Sequence, residues 1–218
     1  NVALVYDHNG ELDRALRYYE ESLRMETDEG EKTTSLGNIA LILNQKGDKK
    51  KAIAKLEEAV AINRRLGNHH SLGQHLLNLG SLRRQDAALD GALLNLEEGL
   101  VFVRQVGYKA WEASGQEGLA RLREARGELP QARTAWAQSA KLYRGVGNVE
   151  KARGAETQGD RLASGSGCEE FRIVSKHSIA RSIAETSLKK SPKDAASWLC
   201  LAKSHHNEHN YAEAIKEF

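Results

Sequence analysis

Small and large apolar residues recur along this chain in a fixed order. Ala15, Ala52, Ala92 and Ala132 are each followed four residues later by Tyr19, Leu56, Leu96 or Trp136. Seven residues later stands Ser22, Ala59, Gly99 or Ser139, always small. Offsets of 0, +4 and +7 fall on one face of a helix. Small residues two turns apart let a second helix approach closely, and the large residue between them fills the remaining gap. Five residues before each alanine comes Gly10, Gly47, Ala87 or Gly127. A glycine there suits a turn in which one helix ends and the next begins, because it accepts left-handed backbone. The alanines are 37, 40 and 40 residues apart.

A second helix is predicted ahead of each turn. Its apolar marks are Val2, Ala3 and Tyr6, then Leu36, Ile39, Ala40 and Leu43, then Leu76, Leu79 and Gly80, then Leu119 and Ala120. Each unit therefore reads as helix A, tight turn, helix B. Gly67-Asn68, Gly107-Tyr108 and Gly147-Asn148 punctuate the passage from one unit to the next. Composition agrees. Only two prolines occur in 218 residues, and Ala, Leu, Glu, Lys, Arg and Gln dominate, which favours helix over strand.

The segment 195–218, AASWLCLAKSHHNEHNYAEAIKEF, resembles the tetratricopeptide signature. Trp198, Leu201 and Ala202 match its first half, Ala214 and Phe218 its second, and Pro192 fits the proline closing the preceding repeat. The earlier units lack the Trp, and their ~40-residue period resembles the longer variant of kinesin light chains and LGN-type adaptors. The resemblance implies an all-α fold, a right-handed superhelical solenoid of antiparallel helix-turn-helix repeats. It also implies that helices A line a concave groove that holds partner peptides.

The domain reading is an array of ~40-residue repeats over 1–163, a Gly/Ser patch at 164–168 and a truncated segment with the standard 34-residue spacing over 169–218. The patch reads either as an enlarged turn inside a fifth repeat or as a junction between separate segments. Both chain ends fall within repeats. They are expected to expose apolar stacking faces, covered by further repeats or by self-association.

Helical spacing selects the groove candidates. Asn38 and Asn78, with Asn1, occupy one place in three helices A, where a carboxamide both donates and accepts and so grips a peptide backbone whatever its sequence. In resembling proteins an asparagine here contacts ligand; the alternative is a bond to the neighbouring helix. Thr34, Leu41 and Gln45 accompany Asn38. Gln74, Ser81, Arg84 and Gln85 accompany Asn78. Ser114, Glu117, Arg121 and Glu124 follow in the next unit, with Lys203 and Asn207 in the last. Arg84 and Arg121 suit carboxylates. The paired lysines of the chaperone-tail clamp are absent from the aligned positions.

Other chemistry finds little support. His205, His206 and His209 straddle a turn without a completing zinc ligand, and His69, His70 and His75 are similarly expected to be solvated at a junction. Glu20-Glu21, Glu57-Glu58 and Glu97-Glu98 read as a solvated outer face. No HExxH, phosphate-loop or nucleophile-elbow motif occurs, so no cofactor, metal or catalytic residue is expected and the chain reads as a non-enzyme. Lys+Arg 32 against Asp+Glu 30 gives no reason to expect nucleic acid or membrane. Cys168 and Cys200 suit a reduced, cytoplasmic setting. The function expected is a scaffold or adaptor binding a partner peptide in the groove. The alternative is a regulatory or sensor segment of a larger protein whose effector domain lies elsewhere.

Overall fold

A computed structural model describes residues 2–163, and every regular element among them is helical. The order is α1 (Val2–His8), α2 (Leu12–Met25), α3 (Glu29–Gln45), α4 (Lys49–Leu66), α5 (His69–Gln85), α6 (Leu89–Val106), α7 (Lys109–Ala125), α8 (Leu129–Gly145) and α9 (Val149–Ala163). Odd helices are A helices and even ones B helices. The chain is an all-α helical repeat solenoid. Packing separates a first unit, residues 1–122, from a second that begins at Arg123, within α7. The 164–168 patch, the 169–218 segment with its signature, Cys168, Cys200 and the histidines at 205, 206 and 209 lie outside the described residues, as does Asn1.

The repeat alignment predicts most of the core, with exceptions in the first repeat: Val2 is 56% exposed and Ser22 is half-buried. Ala15, Ala52, Ala92 and Ala132 are fully buried. So are Leu56, Leu96, Ala59 and Ser139, while Tyr19 and Trp136 are nearly so. Their partners on helices A are Leu36, Ile39 and Ala40, and Leu76 and Leu79 one repeat later. Each such leucine removed from water contributes about 1.5–3 kcal/mol. Where the helices cross, small residues are obligatory. A Cβ built on Gly80 would lie 2.7 Å from Leu96 Cγ and 3.0 Å from the Ala92 carbonyl oxygen. In α7, a Cβ on Gly118 would lie 2.8 Å from Leu96 Cδ2.

The turns have the conformation that the spacing predicts. Gly10, Gly47 and Gly127 between A and B, and Gly67, Gly107 and Gly147 between repeats, all have φ between +64° and +86°. Ala87 takes the same left-handed role at φ +59° without being glycine. The 37-residue first interval also has a cause. Helix α2 has 14 residues where α4 and α6 have 18. Its exit lacks a left-handed glycine: Glu26 is extended and the Asp28 carboxylate caps α3 by accepting from Glu31 N.

The first unit holds one buried polar cluster. Asn63 of α4 is fully buried, and its Nδ2 donates to the Ala59 carbonyl at 3.0 Å and to His75 Nδ1 at 2.9 Å. The Thr33 hydroxyl of α3 lies 3.3 Å from Asn63 Oδ1. His75 is thus not a solvated junction residue, as its neighbours in sequence suggested. It sits along α5, 6% exposed, at the repeat position that Ser35, Gly115 and Ala155 also occupy and that is buried in each. His69 and His70 are exposed at the junction, resting on Phe102 and Tyr108 with ring centroids 5.0 and 5.4 Å apart. Glu112 is the buried carboxylate of this unit. Burial opposes its ionisation, but hydrogen bonds from Lys109 at 2.8 Å and Arg104 at 2.9 Å hold it below the ordinary range.

Replacing Ala92 with Phe should overpack the crossing with Gly80 and cost roughly 1–3 kcal/mol in urea unfolding; an unchanged midpoint would contradict the crossing. Ala87→Gly should instead raise stability by about 1 kcal/mol, since it relieves left-handed strain at an exposed turn.

Burial also lowers the His75 imidazole from 6.5 to about 4. The unfolded chain then binds a proton in this window that the folded chain refuses. Stability is full above about pH 6.5 and falls as pH drops towards about 4, by up to ~3 kcal/mol from this group. His75→Gln keeps an acceptor for Asn63 but cannot titrate. Between pH 6.5 and 5 its unfolding free energy should decline distinctly less than that of the unaltered protein; parallel declines would refute the assignment.

Candidate functional site

Helices α3, α5 and α7 each bury about half of their length and leave a stripe of more exposed positions. On α5 the buried positions are Leu72, Gly73, His75, Leu76, Leu77, Leu79, Gly80 and Leu82. Gln74, Asn78, Ser81 and Gln85 remain half-buried or exposed. They are spaced 4, 3 and 4 apart, so they form one line along the helix. Helix α3 repeats the line 40 residues earlier with Thr34, Asn38, Leu41 and Gln45. Helix α7 repeats it 40 residues later with Ser114, Gly118, Arg121 and Ala125. Among these, Leu41 is an aliphatic side chain 44% exposed.

Asn38 and Asn78 are both half-buried. Neither carboxamide has a hydrogen-bond partner among the described residues. The alternative in which they bond the adjacent helix therefore does not hold there. In α7 the same place is Gly118, whose would-be Cβ site is filled by Leu96 with Ser81 Oγ 3.6 Å away. An asparagine could not stand there without displacing Leu96. The asparagine series thus spans α3 and α5 and stops at α7.

The charged candidates lie beside this polar stretch. Arg121 NH2 donates to Glu117 Oε1 at 2.8 Å, one helical turn away, so these two side chains partner each other. Arg84 flanks the α5 stripe, half-buried and engaged within the protein. Glu124 serves packing in the second unit: the Trp136 indole N–H and the Arg161 guanidinium both donate to it. Its choice as a groove residue is corrected accordingly. Lys203 and Asn207 lie outside the described residues. No group of three His, Cys, Asp or Glu that could hold a metal occurs among the described residues.

Two contributors to this face escaped the sequence. Gly37 precedes Asn38, and a Cβ on it would lie 2.6 Å from His75 Nε2 of α5. That contact, backed by Asn63 and Thr33, sets the approach of α3 to α5. Gly37 is a glycine in mid-helix, which is a readable hint of close packing. His75 offered no such hint.

The outer side of the solenoid is held by ion pairs that also follow the repeat. Arg64, Arg104 and Arg144 stand 40 residues apart, each in the last turn of a helix B. They pair with Glu98 at 2.6 Å, Glu112 at 2.9 Å and Glu156 at 2.6 Å. Arg65 reaches Glu29 at 2.6 Å, and Arg83 reaches Glu57 at 2.6 Å. Glu112 is buried, but the other pairs are largely exposed and contribute only tenths of a kcal/mol each. No helix among the described residues is long and apolar enough to cross a membrane.

Comparison with known proteins agrees with the repeat. The photosystem I assembly protein Ycf3 of Prochlorococcus marinus is 35% identical over 60 residues, 28% of this chain and 35% of that protein. The chain thus spans about a third of the length of this curated relative. Among solved structures, BtubC from P. vanneervenii superposes with a TM-score of 0.58 at 17% identity, covering 74% of this chain and 76% of that one. The kinesin-light-chain repeats of Podosopora anserina give 0.54 at 18% identity, covering 75% and 92%. A Rap protein complexed with competence and sporulation factor gives 0.60 at 15% identity, covering 99% and 70%. Residues 1–63 match the family model described as tetratricopeptide repeat, and the same helix-turn-helix unit recurs through α9, so over the described residues the chain is similar to tetratricopeptide-repeat proteins.

Proposed function

We propose that this protein is an interaction scaffold whose uncovered stripe on α3, α5 and α7 binds an extended peptide of a protein partner. One observation carries the reading. Asn38 and Asn78 stand half-buried at equivalent places on successive helices A with no internal hydrogen-bond partner. Each carboxamide keeps its polar atoms open to water and spends none of them on the fold, so a peptide main chain can replace that water with both a donor and an acceptor. Repetition at 40 residues suits a ligand that runs across the helices, as an extended segment does. The Rap protein of similar fold was solved with competence and sporulation factor bound, which is compatible with a ligand held by such a fold.

The role needs no chemistry from the chain. Glu117 and Arg121 near the stripe pair with each other and Arg84 is engaged within the protein, and binding rests on shape and hydrogen bonds.

The test is the double variant Asn38→Ala/Asn78→Ala. Partners retained from native extract by the immobilised chain should be lost, or their affinity should fall at least tenfold. Helical content by circular dichroism and the melting midpoint should be unchanged. Retention at full affinity would refute the proposal.

A further inference from the structure

The eight stripe positions of α3 and α5 carry no charged side chain. Such a run is unusual in a chain with 28% charged residues. The exposed faces of the neighbouring B helices are laced with Arg, Lys and Glu. Seven of the eight positions are Thr, Asn, Gln or Ser, and the eighth is Leu41, exposed beside Asn38. A charged ligand side chain seated here would lose water and gain no counter-charge. A main chain would gain carboxamide partners, and an aliphatic side chain would gain Leu41.

The spacing of the two grips is also set. Helices α3 and α5 pack directly on each other, and the seat of His75 against Gly37 fixes their approach. Adjacent packed helices lie ~8–10 Å apart, and an extended chain advances ~3.3 Å per residue, so Asn38 and Asn78 meet main-chain groups about three residues apart. Towards α7 the grip ends, because Gly118 has no side chain and no room for one.

We infer that this groove selects a short uncharged, extended segment of the partner, gripped through its main chain by Asn38 and Asn78 and anchored by an aliphatic side chain on Leu41. This inference rests on the peptide-binding role proposed above and adds the chemistry of the ligand. Sequence preference is confined to that window. Main-chain recognition ignores side-chain identity, so the groove admits many sequences but rejects Asp, Glu, Lys and Arg at about three consecutive positions. Its binding is nearly insensitive to salt, unlike recognition through ion pairs.

The test uses the full chain and an array of random 12-residue peptides. Bound peptides should share a window of about three residues without Asp, Glu, Lys or Arg, next to or including Leu, Ile, Val or Met. The best binder, made as a fluorescein-labelled peptide, should change affinity less than threefold between 50 and 500 mM NaCl. Methylating the amide nitrogens inside its window should weaken it at least tenfold. Leu41→Asp should weaken it similarly, and this exposed position leaves the fold intact. Charged residues fixed within the window, a steep salt dependence, or no binder above scrambled controls would overturn the inference. If Asn38→Ala/Asn78→Ala abolishes binding to peptides whose window is charged, only the inference falls. If that variant leaves array binding unchanged, the peptide-binding role falls as well.

Discussion

Everything in this protein depends on helices A and B being able to touch backbone to backbone. Ala52, Ala92 and Ala132 are fully buried at the crossing, and opposite Ala92 the α5 position is Gly80, with no space for a methyl group. Once two helices approach this closely, the leucines on either side can interdigitate, and the apolar area they bury offsets the ordering of the chain. The left-handed turns follow from the same requirement. A short reversal brings B back along A, and at three of the four A-to-B turns glycine supplies it. At the fourth, Ala87 bears the strain, and the packing on either side imposes the conformation against its local preference.

The uncovered stripe is a consequence of that packing. In α3 and α5 burial claims about half of the positions and leaves a line of more exposed ones, so the 40-residue repeat of the core becomes a 40-residue repeat of the surface. Contact between helices A is adjusted one level higher. His75 fills the space opposite Gly37, and Asn63, itself bonded by Thr33, donates to its Nδ1. The same three places one repeat later are Gly115, Val103 and Gly73, an apolar set in which Val103 Cγ1 would lie 2.9 Å from a Cβ on Gly73. Two chemistries therefore solve one packing problem. The polar solution sits beneath the two asparagines, where a directional hydrogen bond holds a side chain in one orientation more strictly than apolar contact does.

Much of this was legible in the sequence, for identifiable reasons. Period and face are set by side-chain size, so Ala15, Leu56, Leu96 and Trp136 announced the core and Gly10, Gly47 and Gly127 the turns. The stripe residues followed from the same register: Asn78, Ser81 and Gln85 stand on one line along α5, and Asn38 takes the equivalent place of Asn78 on α3. Partnership was not legible, because it depends on rotamers and on neighbours distant in the chain. Arg121 pairs with Glu117, and Glu124 turns to Trp136 and Arg161, although both were equally plausible facing a ligand. His75 was misplaced because two adjacent histidines at the junction suggested a common environment. The position is instead the one that carries Gly115 a repeat later, an interior place in both. Reading His75 through the repeat, and not through its sequence neighbours, would have put it inside. The arginines at 64, 104 and 144 show the same lesson. They recur at the period of the core, yet they were overlooked because the alignment weighed apolar positions alone.

The arrangement of charge bears most directly on what such a face can recognise. The helix B sides carry Arg and Glu in pairs that close on each other, so their fields cancel locally and offer little to a passing ligand. The stripe of α3 and α5 carries no charge at all, and at α7 charge returns as a pair already closed between Glu117 and Arg121. A ligand approaching this unit therefore meets no strong field to orient it. It meets two carboxamides with no partner among the described residues, one exposed leucine and further uncharged polar side chains. Affinity from such a surface must come from hydrogen-bond geometry held rigid before binding, since preorganisation removes an entropic cost that electrostatic attraction is not there to offset. The buried cluster of Thr33, Asn63 and His75 lies directly beneath the place where that rigidity is needed, and its neutral imidazole keeps the interior of the face as free of charge as its surface.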